Sequence, residues 1–163
     1  MTAKSPITGL DALIIGAGMA GLYQLHRLRE LGLKVRVVEA GSGVGGTWYW
    51  NRYPGARFDS ESWSYGFSFS KEILDDWEWS EHFSAQPETL RYVNYVADKL
   101  DLRRDIDFDR RVSKAHYHQE ANCWCVTTET GEAYEARLLI TAIGVLSTPQ
   151  MPKLDGISTF KGE

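Results

Sequence analysis

Three glycines and one acid are the residues best placed to do chemistry. Gly16, Gly18 and Gly21 spell G-A-G-M-A-G directly after a short apolar run. Gly16 allows a tight turn, Gly18 lets backbone approach a pyrophosphate, and Gly21 lets a helix pack closely on a strand. The N-terminus of that helix offers free N–H groups and partial positive charge to phosphate. Glu39 stands 18 residues beyond Gly21 (39 − 21), where a carboxylate would accept ribose hydroxyls. The competing reading of Glu39 is a solvated charge at a strand end. An acid there argues against a 2′-phosphate, so FAD or NAD fits better than NADP.

The residues after Glu39 favour FAD. Gly43, Gly45, Gly46, Thr47 and Trp48 follow as G-x-G-G-T-W, where a nicotinamide enzyme would normally continue with another helix and strand. Adjacent glycines let backbone lie against a ligand, and Trp48 and Tyr49 could flank a ring system. Trp48, Tyr49, Trp50, Tyr53, Trp63, Tyr65, Trp77 and Trp79 crowd one stretch, which reads as an aromatic core or as a wall around a planar ligand.

The elements that must hold these residues are legible. Residues 10–15 read as a buried strand, and residues 19–31 place Leu22, Leu25, Leu28 and Leu31 on one helical face. Gly32 ends that helix, and residues 34–38 form a valine-rich second strand. This order implies a right-handed βαβ unit. Residues 63–81 predict short turns at most. Pro87 opens a helix through Leu100, with Leu90, Val93, Val96, Ala97 and Leu100 as its stripe. Ile106 and Phe108 suggest a short strand. Residues 111–118, 123–129 and 132–142 read as a small antiparallel meander returning to the main sheet, with residues 138–143 as a central parallel strand. The fold class is therefore α/β: a Rossmann-like FAD-binding domain, a parallel sheet with helices plus a small β meander.

Together, G-A-G-M-A-G, V-V-E-A-G, G-G-T-W-Y-W-N-R-Y-P-G-A-R-F-D, W-S-Y-G-F-S-F, S-A-Q-P-E-T-L-R-Y-V and T-A-I-G resemble the start of a Baeyer–Villiger monooxygenase, a class B flavoprotein, over nearly the whole chain. The resemblance implies FAD and NADPH as cofactors, and a ketone and O2 as substrates that give an ester or lactone. It implies Gly16, Gly18, Ala20 and Gly21 around the FAD pyrophosphate and Glu39 at the ribose. Gly46, Thr47 and Trp48 would run beside the flavin, and Tyr65 would contact the cofactor. Val112 would meet the adenine through its backbone. Met19, Ala40 and Gly144 complete the implied cofactor contacts. Asp59 is the implied catalytic residue, near the reacting face of the flavin, where it could position an arginine that this chain lacks. Its competing reading is an Asx turn with Ser60 and Glu61. Ile143 departs from the family's A-T-G.

Phe160 and Gly162 open the family's F-x-G-x-x-x-H-x-x-x-W-P, and the sequence ends at Glu163. The expectation is a truncated domain: residues 1–146 as the first part of the FAD-binding domain and residues 147–163 as a linker toward a missing NADPH-binding domain. The isolated chain should then be incompetent for the full cycle and retain FAD weakly, with the remainder of the same enzyme completing the site. The alternatives are an inactive FAD-binding module, or a related flavin-containing or N-hydroxylating monooxygenase.

Net charge is −4, which offers no footprint for nucleic acid or anionic membrane. No apolar run reaches the ~20 residues that span a bilayer, and residues 1–9 do not read as a secretory leader. With two cysteines, a reducing cytoplasm is the default. Cys123 and Cys125 share a strand face but lack usual zinc spacing, so they read as core or edge thiols. His26, His82, His116 and His118 are scattered without an evident carboxylate partner, and His116 and His118 read as a surface pair. No metal site is expected. Asp75, Asp76, Glu78 and Glu81 read as a solvated acidic face.

Overall fold

Ile7–Ile15 (β1) is apolar on both faces, and both faces are covered: Ala12 and Ile14 join one core cluster, Leu10 and Leu13 the other. That is the pattern of a central strand. In the computed structural model, which describes residues 6–162, β1 leads through a short turn into helix α1 (Met19–Glu30). The helix lays Leu22 and Leu25 on the first face of the sheet. Gly32, at φ 74°, closes it, and Arg27 and Arg29 complement its negative end. Val35–Val38 (β2) then pairs parallel to β1, from Ala12 opposite Val35 to Ile15 opposite Val38. The βαβ unit is as the sequence predicts.

Three short helices follow: Thr47–Trp50 (α2), Ser62–Tyr65 (α3) and Lys71–Asp76 (α4). The expectation of turns at most over residues 63–81 is corrected here. One or two helical turns carry no readable period, and packing of Trp48, Ser62 and Ile73 into the interior holds them. Gln86–Lys99 (α5) buries Thr89, Tyr92, Val93, Val96 and Ala97 on the face that α1 also covers.

Ile106–Asp107 (β3), Val112–His118 (β4), Cys123–Thr128 (β5) and Ala133–Thr141 (β6) complete one six-stranded mixed sheet in the order β3-β2-β1-β6-β5-β4. The meander is an extension of the main sheet, because β6 pairs parallel to β1 and antiparallel to β5. The Tyr134 hydroxyl of β6 donates to Asp107 of β3 at 3.0 Å, across β1 and β2. The sheet therefore bends over its second face, where Leu13, Val38, Val126, Tyr134 and Ala136 pack.

Residues 142–162 hold no helix or strand, and Val145 and Phe160 are 94% and 73% exposed. Residues 1–5 of the N-terminal stretch and Glu163 of the expected linker lie outside the described residues. Among the described residues no helix is long and apolar enough to cross a membrane. The acidic face is exposed, and three of its four acids are paired: Lys71 meets Asp75, Lys99 meets Asp76 and Arg57 meets Glu81. Two histidines do have carboxylate neighbours, His26 with Glu30 at 3.6 Å and His82 with Glu61 at 3.4 Å.

Candidate functional site

The turn between β1 and α1 is held by contacts that only glycine permits. Gly16 has φ 103°, and a Cβ there would sit 2.6 Å from the Ala142 carbonyl oxygen. A Cβ on Gly21 would fall 1.9 Å from the carbonyl oxygen of Gly16. Gly18 faces Gly46, whose own Cβ would lie 2.9 Å from the Gly18 Cα. The Gly45 N–H donates to the Ala17 carbonyl at 3.0 Å. The second glycine loop is thus laid directly on the first. Helix α1 begins at Gly18 with no side-chain cap and no acid in its first turn. Its leading N–H groups, including those of Met19 and Ala20, lack intrahelical acceptors and suit an anion.

Glu39 ties these loops together. It is 4% exposed, and its carboxylate accepts from the Ala17 N–H at 2.6 Å and from the Gly41 N–H at 2.7 Å. The solvated strand-end reading is therefore corrected: a buried carboxylate persists because charge-assisted bonds replace its water. A carboxylate offers about four acceptor positions, so two backbone donors leave room for hydroxyl donors. The N–H of Arg110 donates to the Glu39 carbonyl at 2.8 Å and that of Asp109 to the Gly41 carbonyl at 3.0 Å. These bonds bring the start of β4, with Val112, beside half-buried Ala40.

The aromatic stretch packs mostly on itself. Trp48 is 6% exposed, and its indole N–H donates to the Tyr65 hydroxyl at 2.8 Å. Tyr65 stacks on Phe58 with centroids 4.2 Å apart. Burial pushes the Tyr65 phenol above its ordinary value, against the Trp48 bond. Gln86 of α5 donates to the Trp48 carbonyl, and Asn51 to that of Thr47. Tyr49 presses on Gly41 and Gly43, and its hydroxyl accepts from the Ser42 N–H. Trp48 thus packs into the core beside Tyr65, and Tyr49 onto the glycine loop. Trp50, Tyr53 and Trp63 stay exposed.

The structure brings Gly16, Gly18, Gly21, Glu39 and Gly46 into one loop cluster, with Thr47, Trp48 and Tyr65 adjoining. Beside Met19 and Ala20 opens a cavity of about 410 Å³, also lined by Tyr23 and residues 66–69. Asp59 stands apart: it is exposed and makes no hydrogen bond or ion pair among the described residues, so the Asx turn is absent. Gly144 is exposed at φ 70°, just past the Ala142 contact with Gly16. Sequence reasoning missed Ala17, Gly41 and Arg110, whose parts are played by backbone groups, which no side-chain pattern signals. It also missed Gln86, although a buried polar residue opening a helix was open to suspicion.

The family profile for pyridine nucleotide-disulphide oxidoreductases matches residues 13–162. The chain is 51% identical to the acetone monooxygenase (methyl acetate-forming) of Gordonia sp. (strain TY-5), over 96% of this chain and 29% of that protein. It is 51% identical to a Baeyer–Villiger monooxygenase of Pseudooceanicola batsensis, over 93% of this chain and 28% of that protein. Among solved structures, the OTEMO complex with FAD and NADP is similar with TM-score 0.87 and 51% identity, over 98% of this chain and 30% of that one. The chain thus spans under a third of the length of these relatives.

Proposed function

The chain belongs to the pyridine nucleotide-disulphide oxidoreductase family, and from that premise we propose that it forms the FAD cradle of an FAD- and NADPH-dependent Baeyer–Villiger monooxygenase. The observation that carries this is the Glu39 carboxylate, buried and bonded to Ala17 and Gly41 at the mouth of α1. The first turn of α1, through Met19 and Ala20, would bind the pyrophosphate between Gly16, Gly18 and Gly21. Glu39 and Ala40 would take the ribose, and Val112 the adenine. Gly46, Thr47 and the Trp48–Tyr65 pair would border the flavin. When bound, FAD would supply the redox chemistry, reduced by NADPH and reacting with O2 to oxygenate a ketone. Asp59 would be the catalytic residue of this chain, its carboxylate free to orient a cation brought by another part of the protein. Gly144 would border the cofactor beside Gly16.

We assign residues 1–146 to the FAD-binding unit and residues 147–163 to a linker toward an NADPH-binding unit elsewhere in the protein, in a reducing cytoplasm. The 51% identity to an enzyme named for turning acetone into methyl acetate supports the ketone-to-ester reading. Flavin absorbance on FAD titration should report a bound cofactor, and Glu39→Ala should weaken it about tenfold or more. No perturbation of flavin absorbance at any concentration would sink the cradle. A longer protein containing this chain should make ester from ketone with NADPH. Peroxide alone would leave an FAD-binding module and remove the monooxygenase.

A further inference from the structure

The register of the β4–β5 hairpin assembles a constellation that neither strand reveals alone. His116 lies directly opposite Cys125, and His118 directly opposite Cys123. Opposed residues of an antiparallel pair project to the same face, with Cβ atoms about 5 Å apart. The intervening pair, Tyr117 and Trp124, meets on the other face with centroids 5.3 Å apart. Two imidazoles and two thiols therefore stand at the corners of one small rectangle on the outer face of the sheet. Both cysteines are free thiols, half-buried, and both histidines are exposed.

The chemistry of this set is that of a borderline-soft divalent ion. Zinc prefers thiolate sulfur and imidazole nitrogen in a tetrahedron, and Cys2His2 is among its common structural sets. The two imidazole centroids are 4.8 Å apart. The rings meet edge to face in the rotamers present. Burial, then the Cys123 thiol and Glu135 of β6, opposite Cys125, push the Cys125 thiol above its ordinary value. Lys114, opposite Thr127, and Arg137, two residues beyond Glu135 on β6, are cations on the same face. In the rotamers present, no group of three or more such donors among the described residues is set to hold an ion. Neither imidazole makes a hydrogen bond among the described residues that would oppose the change of χ1 and χ2 that a shared ion requires.

We propose that His116, His118, Cys123 and Cys125 form a zinc-class site that clips β4 to β5, at a place separate from the glycine loops. Binding would release the two thiol protons to solvent, with no change of oxidation state. This site stands or falls independently of the FAD cradle. The test uses tag-free, reduced protein and Co(II) as the spectroscopic probe. One equivalent of Co(II) should give the intense visible bands of a tetrahedral ion and a thiolate charge-transfer band, both displaced by Zn(II). Cys123→Ser with Cys125→Ser should remove the charge-transfer band, and His116→Ala should weaken binding about tenfold or more. Far-UV circular dichroism confirms that each variant is folded. A weak octahedral spectrum, or bands that survive the cysteine substitutions in folded protein, would overturn the site.

Discussion

Glu39 and Asp59 are both acids in candidate-site loops, but the chain treats them in opposite ways. Glu39 is 4% exposed and accepts two backbone N–H bonds, while Asp59 is exposed and bonded to nothing among the described residues. Around Glu39, glycine loops press on one another at distances no Cβ tolerates. Of the two residues flanking Asp59, Phe58 is buried, stacked on Tyr65, and Ser60 is exposed. The first region is preorganised by folding, so damage there should cost stability and affinity together. The second contributes little to folding, so its substitutions should report on turnover alone.

The contrast is most exposed to failure at Gly21. Gly21→Ala places a Cβ against the Gly16 carbonyl, and the strand–helix junction must separate. A loss of about 3 kcal/mol is expected in denaturant unfolding; a midpoint equal to wild type would mean that the loop yields easily. Next comes Glu39→Ala, which leaves the Ala17 and Gly41 N–H groups buried and unanswered. It should cost about 2 kcal/mol of stability as well as FAD affinity. Normal stability with lost affinity would make Glu39 a ligand contact only.

A third variant extends the comparison to a buried acid outside the loops. Glu88, 7% exposed, accepts from Ser80 and Ser84. Burial raises its pKa, but the bonds from Ser84 and Ser80, with help from Arg91, outweigh burial and leave it below the ordinary value. A carboxyl depressed in the folded state stabilises above its unfolded pKa, and that stability is lost as pH falls through the folded pKa. Stability should therefore decline on acidification through the glutamate range and below. Glu88→Gln should flatten that decline and cost about 1 kcal/mol at pH 7; an unchanged pH profile would assign the decline to other acids.

Tyr65 and Asp59 complete the series. Tyr65→Phe removes the acceptor of the Trp48 indole. It should cost about 1 kcal/mol, read by thermal unfolding and by a shift in tryptophan emission. Asp59→Asn should change stability by less than about 0.5 kcal/mol and leave FAD affinity intact. In a longer protein that turns over, it should lower kcat. If Asp59→Asn instead weakens FAD binding as Glu39→Ala does, the two regions are not distinct.

Much of the first region is legible in the amino-acid sequence. The strand, helix and second strand follow from a short apolar run, a 3.6-residue period and a valine-rich segment, and Gly16, Gly18, Gly21 and Glu39 follow from their offsets to those elements. The helix over residues 86–99 is legible from Pro87 and its apolar stripe. The helices at 47–50, 62–65 and 71–76 are not, because so few residues present no face. The return of the meander to the main sheet is legible as well; that β6 lies between β1 and β5 is not, since a single strand does not reveal its partners on both edges.

What the sequence determined by itself is local: which residues extend, which coil, and where glycine must stand because a Cβ would collide. Tertiary structure decided which groups meet. It turned Trp48 inward and wrapped Ala17 and Gly41 around Glu39. It also set His116 and His118 opposite Cys125 and Cys123. The physical reason is that propensity and period act over a few neighbouring residues. Strand register and the pairing of buried polar groups are settled only when distant segments lose water together, and each donor must then find its acceptor.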